Sequence, residues 1–347
     1  MHFAIVGAGS VGAFIGATMT RSGRKVTLID QWPEHIEAMK RDGARIEGTS
    51  GDFRVPVKAL HIHEVQRLHS DPVDVALICV KSYDTEWSTA LIKDYLSPTG
   101  VVVSLQNSFN EEAMARIVGY NRVLGCVLNT IGVEVREPGQ IVRWYHPSSP
   151  DYAVFRVGEM HGRVTRRATA IAQALSTADV AKVTTNLWGE RWSKLTINSM
   201  GSATGAVTGI GLVQMYRQDG PRHLAMRLGQ EAIQVGTALG FELENICGVS
   251  PAQWLSSITS AEDERKLDAA LYAWADRIRE DGQASTLHDW KRGRRMEAES
   301  INGFVVKKAA EAGLPVPHHS AMVDLTRKLE RGEITQSLEA ISHLFGK

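Results

Sequence analysis

A short apolar run, His2-Phe3-Ala4-Ile5-Val6, enters Gly7-Ala8-Gly9-Ser10-Val11-Gly12, and small and apolar residues follow at helical spacing from Ala13 to Met19. That succession predicts strand, tight turn and helix. Gly7 permits the sharp reversal, Gly9 leaves the backbone bare for a pyrophosphate, and Gly12 lets the helix pack closely on the strand. The first N–H groups of the helix then face the phosphates. A second strand, Lys25 to Ile29, ends in Asp30, about twenty residues on, where a carboxylate accepts hydrogen bonds from ribose hydroxyls. Gly7, Ala8, Gly9, Ser10, Val11, Gly12 and Asp30 are therefore the expected contacts of a dinucleotide. A structural glycine turn is the alternative.

Strand and helix patterns keep alternating: Val75 to Val80 and Val101 to Leu105 are β-branched runs with a helical stretch between them, the rhythm of a parallel sheet. From Val123 to Val157 shorter strand-like pieces, with turns at Glu137-Pro138-Gly139 and Pro147 to Pro150, read as added strands, antiparallel, closing the same sheet. A helix (Val164 to Leu175) and a strand (Val180 to Thr184) finish it. Beyond Asn186 helical periodicity takes over, in Leu187 to Ala206, Pro221 to Leu239, Ala261 to Arg279, Asp289 to Ala312 and Ser320 to Phe345. Gly240 and Gly313 stand where C-terminal caps belong. The expected fold is α/β plus all-α: an N-terminal Rossmann-type doubly wound sheet over 1–185 and a C-terminal helical domain over 186–347.

With 39 Lys and Arg against 39 Asp and Glu, no overall field favours nucleic acid or an anionic membrane. The densest basic cluster, Lys291, Arg292, Arg294 and Arg295, reads as a solvated helix face before a phosphate patch. A strand starting at residue 2 leaves no room for a secretion signal, and no apolar run reaches spanning length, so a cytoplasmic protein is expected. Cys79, Cys126 and Cys247 are too few and too scattered for a disulfide framework or a zinc site. Such an arrangement of domains places substrate beyond the carboxyl ends of the strands, so the polar clusters Lys81 to Thr85, Gln106 to Asn110 and Trp188 to Asn198 become the candidates for chemistry.

These clusters carry a resemblance to the ketopantoate reductase (2-dehydropantoate 2-reductase) family over nearly the whole chain. The matching motifs, in order, are G-A-G-S-V-G from Gly7, V-K-S-Y-D-T from Val80, L-Q-N-S-F-N from Leu105, R-E-P-G-Q-I-V from Arg136 and W-S-K-L-T-I-N from Trp192. Two later segments, Ser285 to Asp289 and Glu297 to Phe304, look like the family's S-M-L-Q-D and E-I-D-x-I-N-G. The resemblance implies hydride transfer from a nicotinamide to the C2 carbonyl of a branched 2-oxo acid, with Lys194 as the catalytic lysine. A cationic proton donor suits a ketone reduction, because charge develops on oxygen in the transition state. Asn198 lies one turn along and shares the face of Lys194. The family match also implies that Glu297 orients the lysine or binds a substrate hydroxyl, and that Ser285 binds the substrate carboxylate. It puts Asn107 beside the nicotinamide and the reacting carbonyl, and Lys81 near the ribose or phosphates. The plainer readings are a solvated lysine, a surface salt bridge from Glu297 to Arg294 or Lys291, and a helix N-cap at Ser285.

Two departures bear on substrate and cofactor. Where the family places further asparagines, this chain has Ser202 and Leu212, which removes hydrogen-bond partners and redirects or relaxes specificity. The small-residue run from Gly201 to Gly211 either makes room for a larger acyl group or serves tight helix packing. After the second strand the sequence reads Asp30-Gln31-Trp32-Pro33-Glu34 where an arginine commonly grips the 2′-phosphate of NADP, which favours NAD, with NADP the alternative. The extra length from Cys247 to Arg279 reads as a longer helix that covers the cleft or extends a homodimer surface. The competing readings are a dehydrogenase of a bulkier 2-hydroxy acid and a non-enzymatic nucleotide sensor.

Overall fold

The structure, a computed structural model, describes residues 1–280 and 282–345. It divides into two compact units, Met1–Leu187 and Trp188–Lys347.

In chain order the first unit holds β1 (His2–Val6), α1 (Ser10–Arg21), β2 (Lys25–Asp30), α2 (Pro33–Asp42), β3 (Ala44–Gly48), β4 (Phe53–Val55), β5 (Lys58–His61), β6 (Val73–Ile78), α3 (Thr85–Lys93), β7 (Leu96–Ser104), α4 (Glu111–Val118), β8 (Val123–Leu128), β9 (Val133–Glu137), β10 (Gln140–Arg143), β11 (Phe155–Glu159), α5 (Arg166–Leu175) and β12 (Ala181–Thr184). Eight strands form the main sheet in the order β12-β11-β8-β7-β6-β1-β2-β5. Every neighbouring pair is parallel except β8 with β11. The chain leaves β1 toward β2 on one side and returns to β6 on the other, so the glycine turn sits at a switch point, where α/β sheets open a crevice for ligands.

The expected antiparallel closure from Val123 to Val157 needs correction. Strand β8 joins the sheet parallel to β7 and β11 alone runs antiparallel, while β9 and β10 leave the main sheet altogether. They form a second sheet, β4-β3-β10-β9, with the hairpin of residues 44–55. The reason is α1, which packs on β1 and β2 with one side and on β3, β4, β9 and β10 with another. A helix as apolar as this one, with Phe14, Ile15 and Met19 fully buried, needs cover on more than one side. The turn at Glu137-Pro138-Gly139 is where the sequence puts it, between β9 and β10.

The second unit is helical: α6 (Leu187–Thr208), α7 (Leu212–Arg217), α8 (Asp219–Ala238), α9 (Pro251–Ser256), α10 (Ala261–Trp274), α11 (Ser285–Lys291), α12 (Ala298–Ala312) and α13 (Pro317–Glu330). It has its own core, built on Met200, Leu228, Trp254, Leu271 and Met322. Gly240 and Gly313 do cap helices with positive φ. Two long helices expected from periodicity are interrupted. Asp289 to Ala312 breaks at Gly293 (φ 64), where Gly293 N–H bonds the Trp290 carbonyl and Arg294 N–H that of Asp289, a Schellman closure. The Ser320 to Phe345 stretch stops in the same way at Gly332, and its helix begins earlier, at Pro317. The extra length after Cys247 is two helices, each started by a serine cap, Ser250 and Ser260. The helix of Ala261 ends at Trp274, short of Arg279. Among the described residues, no helix is long and apolar enough to cross a membrane.

Candidate functional site

In the first unit the candidate residues stand at the carboxyl ends of four adjacent strands, β2, β1, β6 and β7. The turn after β1 is held by Gly7 and Ala8, whose N–H groups both donate to the Ile29 carbonyl at 2.9 and 3.2 Å. Gly7 has φ 95, and a Cβ there would meet Val80 N at 2.6 Å. A Cβ on Gly12 would collide with the Gly7 carbonyl, whereas one on Gly9 would meet nothing within 4 Å. That contrast is the fit expected of a dinucleotide: two glycines serve the fold, and the third keeps open the space a pyrophosphate would occupy at the start of α1. Ser10 and Val11 begin that helix and are half-buried.

Asp30 ends β2, and its Oδ1 accepts the Trp32 N–H at 2.9 Å, which sets the rotamer of the carboxylate. Behind it, His35 is fully buried, its Nε2 at 2.9 Å from the Ala8 carbonyl and its Nδ1 accepting the Gly139 N–H at 2.9 Å. Burial holds this imidazole below its usual pKa of 6.5, although Asp30 and the Ala8 carbonyl pull the other way. Trp32 stacks on it, centroids 5.0 Å apart at 10°. Nothing in the sequence pattern signalled this pair, because the contacts join residues up to 104 positions apart.

The loops of Lys81 and Asn107 are tied together by Gln106, whose Nε2 donates to the Val80 carbonyl at 3.0 Å and to Thr85 Oγ1 at 2.8 Å. The Asn107 carbonyl in turn accepts from Asn110 Nδ2 at 2.7 Å and from Ser82 Oγ at 3.2 Å. The next residue, Ser108, lies at φ 65, a conformation non-glycine residues adopt at a cost of about 1 kcal/mol or more. This stored strain and the bonds to its carbonyl fix where Asn107 stands.

In the second unit, Lys194, Asn198 and Ser202 follow one another at one-turn spacing on α6. Lys194 is half-buried, and no hydrogen bond or ion pair engages it among the described residues. Burial pulls its ammonium down to about 8, offset in part by the nearby Cys247 thiol. Lys194 is thus only partly open to solvent, unlike a lysine on a fully solvated helix face. The segment after α8 runs alongside α6: Phe241 stacks on Trp192 at 5.1 Å, Glu244 N–H donates to Ser193 Oγ at 2.8 Å, and Cys247 lies near Lys194. Cys247 sits at φ 52, opposite Tyr216 Oη at 4.0 Å, and burial pushes its thiol up to about 12. Sequence reading named Cys247 only as a scattered cysteine.

Glu297 is buried, 3% exposed, at the N-cap position of α12, not the exposed position a surface salt bridge would have. Glu299 turns the other way and pairs with Arg327. Asn302, one turn further, ties α12 to α6 by donating to the Ser199 carbonyl at 2.9 Å. Ser285 is the first residue of α11 and exposed; Ala284 holds the cap position, so the N-cap reading of Ser285 is wrong. Small residues of α6 serve packing: Gly205 faces Ala284 and Leu287, and Gly201 faces Leu212. Leu212 therefore fills an apolar contact. The basic residues 291–295 are exposed, on the turn that ends α11 rather than on a helix face.

Comparison with known proteins decides the family. The model of ketopantoate reductase PanE/ApbA matches residues 3–150, and that of its C-terminal domain matches residues 186–330. The chain belongs to the ketopantoate reductase family. It is thereby an oxidoreductase of the NAD(P)-dependent kind that acts on CH–OH groups. It is 28% identical over 330 residues to a 2-dehydropantoate 2-reductase of Archaeoglobus fulgidus, covering 94% of this chain and 97% of that one. Among solved structures, a PanE/ApbA family ketopantoate reductase from Ralstonia eutropha JMP134 is 25% identical, with TM-score 0.77 and 96% and 99% of the two chains covered. D-mandelate dehydrogenase with NADH and anilino(oxo)acetate shares the fold at 18% identity, with TM-score 0.79 and the same coverage.

Proposed function

We propose that this chain reduces a branched or bulky 2-oxo acid to the 2-hydroxy acid, with Lys194 as the proton donor. The observation that carries the reading is Lys194 itself, an ammonium brought to about 8 by burial and engaged by no hydrogen bond or ion pair among the described residues, on the face it shares with Asn198 and Ser202. An acid whose pKa lies near the working pH both holds its proton and gives it up readily. Bound reduced nicotinamide supplies the hydride that C2 receives. Lys194 gives its proton to the carbonyl oxygen, and the neutral amine takes another from solvent. The amide of Asn198 and the hydroxyl of Ser202 orient the acid, buried Glu297 accepts a bond from a substrate hydroxyl, and Ser285 binds the carboxylate. Asn107, fixed through its loop, lies beside the nicotinamide, and Lys81 neutralises phosphate charge. The first unit thus serves as the dinucleotide domain and the helical unit as the substrate domain.

Asp30 favours NADH, because its carboxylate accepts from a ribose hydroxyl and repels a 2′-phosphate. A Michaelis constant for NADPH equal to or below that for NADH would overturn this preference. Asp30→Ala with Gln31→Arg should shift it toward NADPH.

Ser202 and Leu212 favour a substrate other than ketopantoate, since a short hydroxyl and a packed hydrocarbon stand where amides would bind its polar groups. The test is the initial rate of NADH oxidation with ketopantoate, phenylglyoxylate and a branched aliphatic 2-oxo acid. Turnover of phenylglyoxylate above ketopantoate supports the bulkier substrate. Efficient reduction of ketopantoate assigns the reaction of the curated relatives. No turnover of any of the three overturns the proposal.

A further inference from the structure

We propose that Trp32, braced by His35, is the platform on which the adenine of the dinucleotide stacks. The inference rests on the cofactor reading above and deepens it by naming the group that binds the base.

Adenine is bonded to C1′ of the ribose, next to the carbon bearing the 2′-hydroxyl. A carboxylate that accepts from the ribose hydroxyls therefore has the base within one ring's width. Trp32 is the aromatic residue at that place. It follows Asp30 by two positions, and its N–H donates to Asp30 Oδ1 at 2.9 Å, so platform and carboxylate belong to one rigid turn, continued into α2 by Pro33.

The bracing ring is fixed as well. His35 Nδ1 accepts the Gly139 N–H, so the proton sits on Nε2, which donates to the Ala8 carbonyl at 2.9 Å. Ala8 lies inside the phosphate turn. The indole is thus stacked on a ring bonded directly to the cradle that would hold the pyrophosphate. His35 is the one ring partner of Trp32 among the described residues, and the side chain is only half-buried, so part of the indole stays open to solvent where a base would stack. A buried imidazole with both nitrogens satisfied is a costly support for a surface tryptophan that merely fills space. It is well suited to hold an aromatic plane in register with a phosphate site.

The test is calorimetric titration of the full-length protein and of Trp32→Phe, Trp32→Leu and Trp32→Ala with NADH, ADP-ribose and reduced nicotinamide mononucleotide, which has no adenine. Base stacking on an aromatic side chain is typically worth about 5- to 150-fold in affinity. Trp32→Ala and Trp32→Leu should both weaken NADH and ADP-ribose by about tenfold or more. Trp32→Phe should stay within about threefold of the wild type, and affinity for the mononucleotide should not change. Leucine keeps apolar bulk without a π face, so leucine and phenylalanine binding alike would assign Trp32 a packing role and overturn the proposal. Unchanged ADP-ribose affinity in Trp32→Ala would do the same. A wild type that binds neither NADH nor ADP-ribose would instead remove the cofactor reading itself.

Discussion

Replacing Lys194 by methionine separates catalysis from folding, because the same burial acts on both. In the folded chain the ammonium falls from 10.5 to about 8, with burial the dominant cause. At about 1.4 kcal/mol per pH unit, keeping the residue charged costs the fold on the order of 3 kcal/mol. The unfolded chain binds the extra proton between pH 8 and 10.5, so stability rises with pH across that window and the full penalty applies below pH 8. Lys194→Met keeps the aliphatic stem and removes the charge. Urea unfolding at pH 7 should show the variant more stable, by up to about 3 kcal/mol, and the difference should shrink as pH rises past 8. Turnover should move the opposite way, falling about 100- to 10,000-fold, as expected for loss of a general acid, with NADH binding within about twofold. In the wild type, kcat for reduction should decline as pH passes about 8 and lie about tenfold below its plateau at pH 9. A rate flat to pH 10, together with a methionine variant no more stable than the parent, would refute the argument that burial tunes this lysine.

The two outer glycines of the phosphate turn should part company with the middle one. Gly12→Ala drives a Cβ into the Gly7 carbonyl and should lower thermal stability measurably, whereas Gly9→Ala should melt like the wild type yet bind NADH at least tenfold more weakly. Glu231 caps α13: Oε1 accepts from His318 N and Nδ1, and Oε2 from His319 N and Nδ1, at 2.7 to 3.0 Å. Burial would push its carboxyl up, but the bonds from His318 and His319 outweigh this and hold it at about 2. Its contribution is therefore complete above pH 4.5 and is lost as pH falls toward 2, and Glu231→Gln should cost about 2 kcal/mol in chemical denaturation at pH 7. Light scattering should show a dimer at micromolar concentration, and a monomer there would remove the expected two-fold surface.

What the residues determine locally was legible without coordinates. The phosphate turn needs glycine at 7 for its positive φ and at 12 for the nearby Gly7 carbonyl, reasons that act within a few residues, and the helical spacing of Lys194, Asn198 and Ser202 follows from chain geometry alone. The same holds for the caps at Gly240 and Gly313. Periodicity failed where a left-handed closure interrupts an unbroken apolar pattern, at Gly293 and Gly332, since the pattern continues on both sides of the turn. Tertiary structure decided the rest, because burial and partners come from distant segments. Whether β9 and β10 would extend the main sheet or cover α1 depended on which apolar surface was left exposed. Glu297 became buried rather than a surface ion, and His35 became a fixed brace only through Gly139, more than a hundred residues on. The acidity of Lys194 likewise belongs to the fold. The sequence names the lysine, but partial burial on α6, beside the segment that bears Cys247, is what brings its ammonium to about 8.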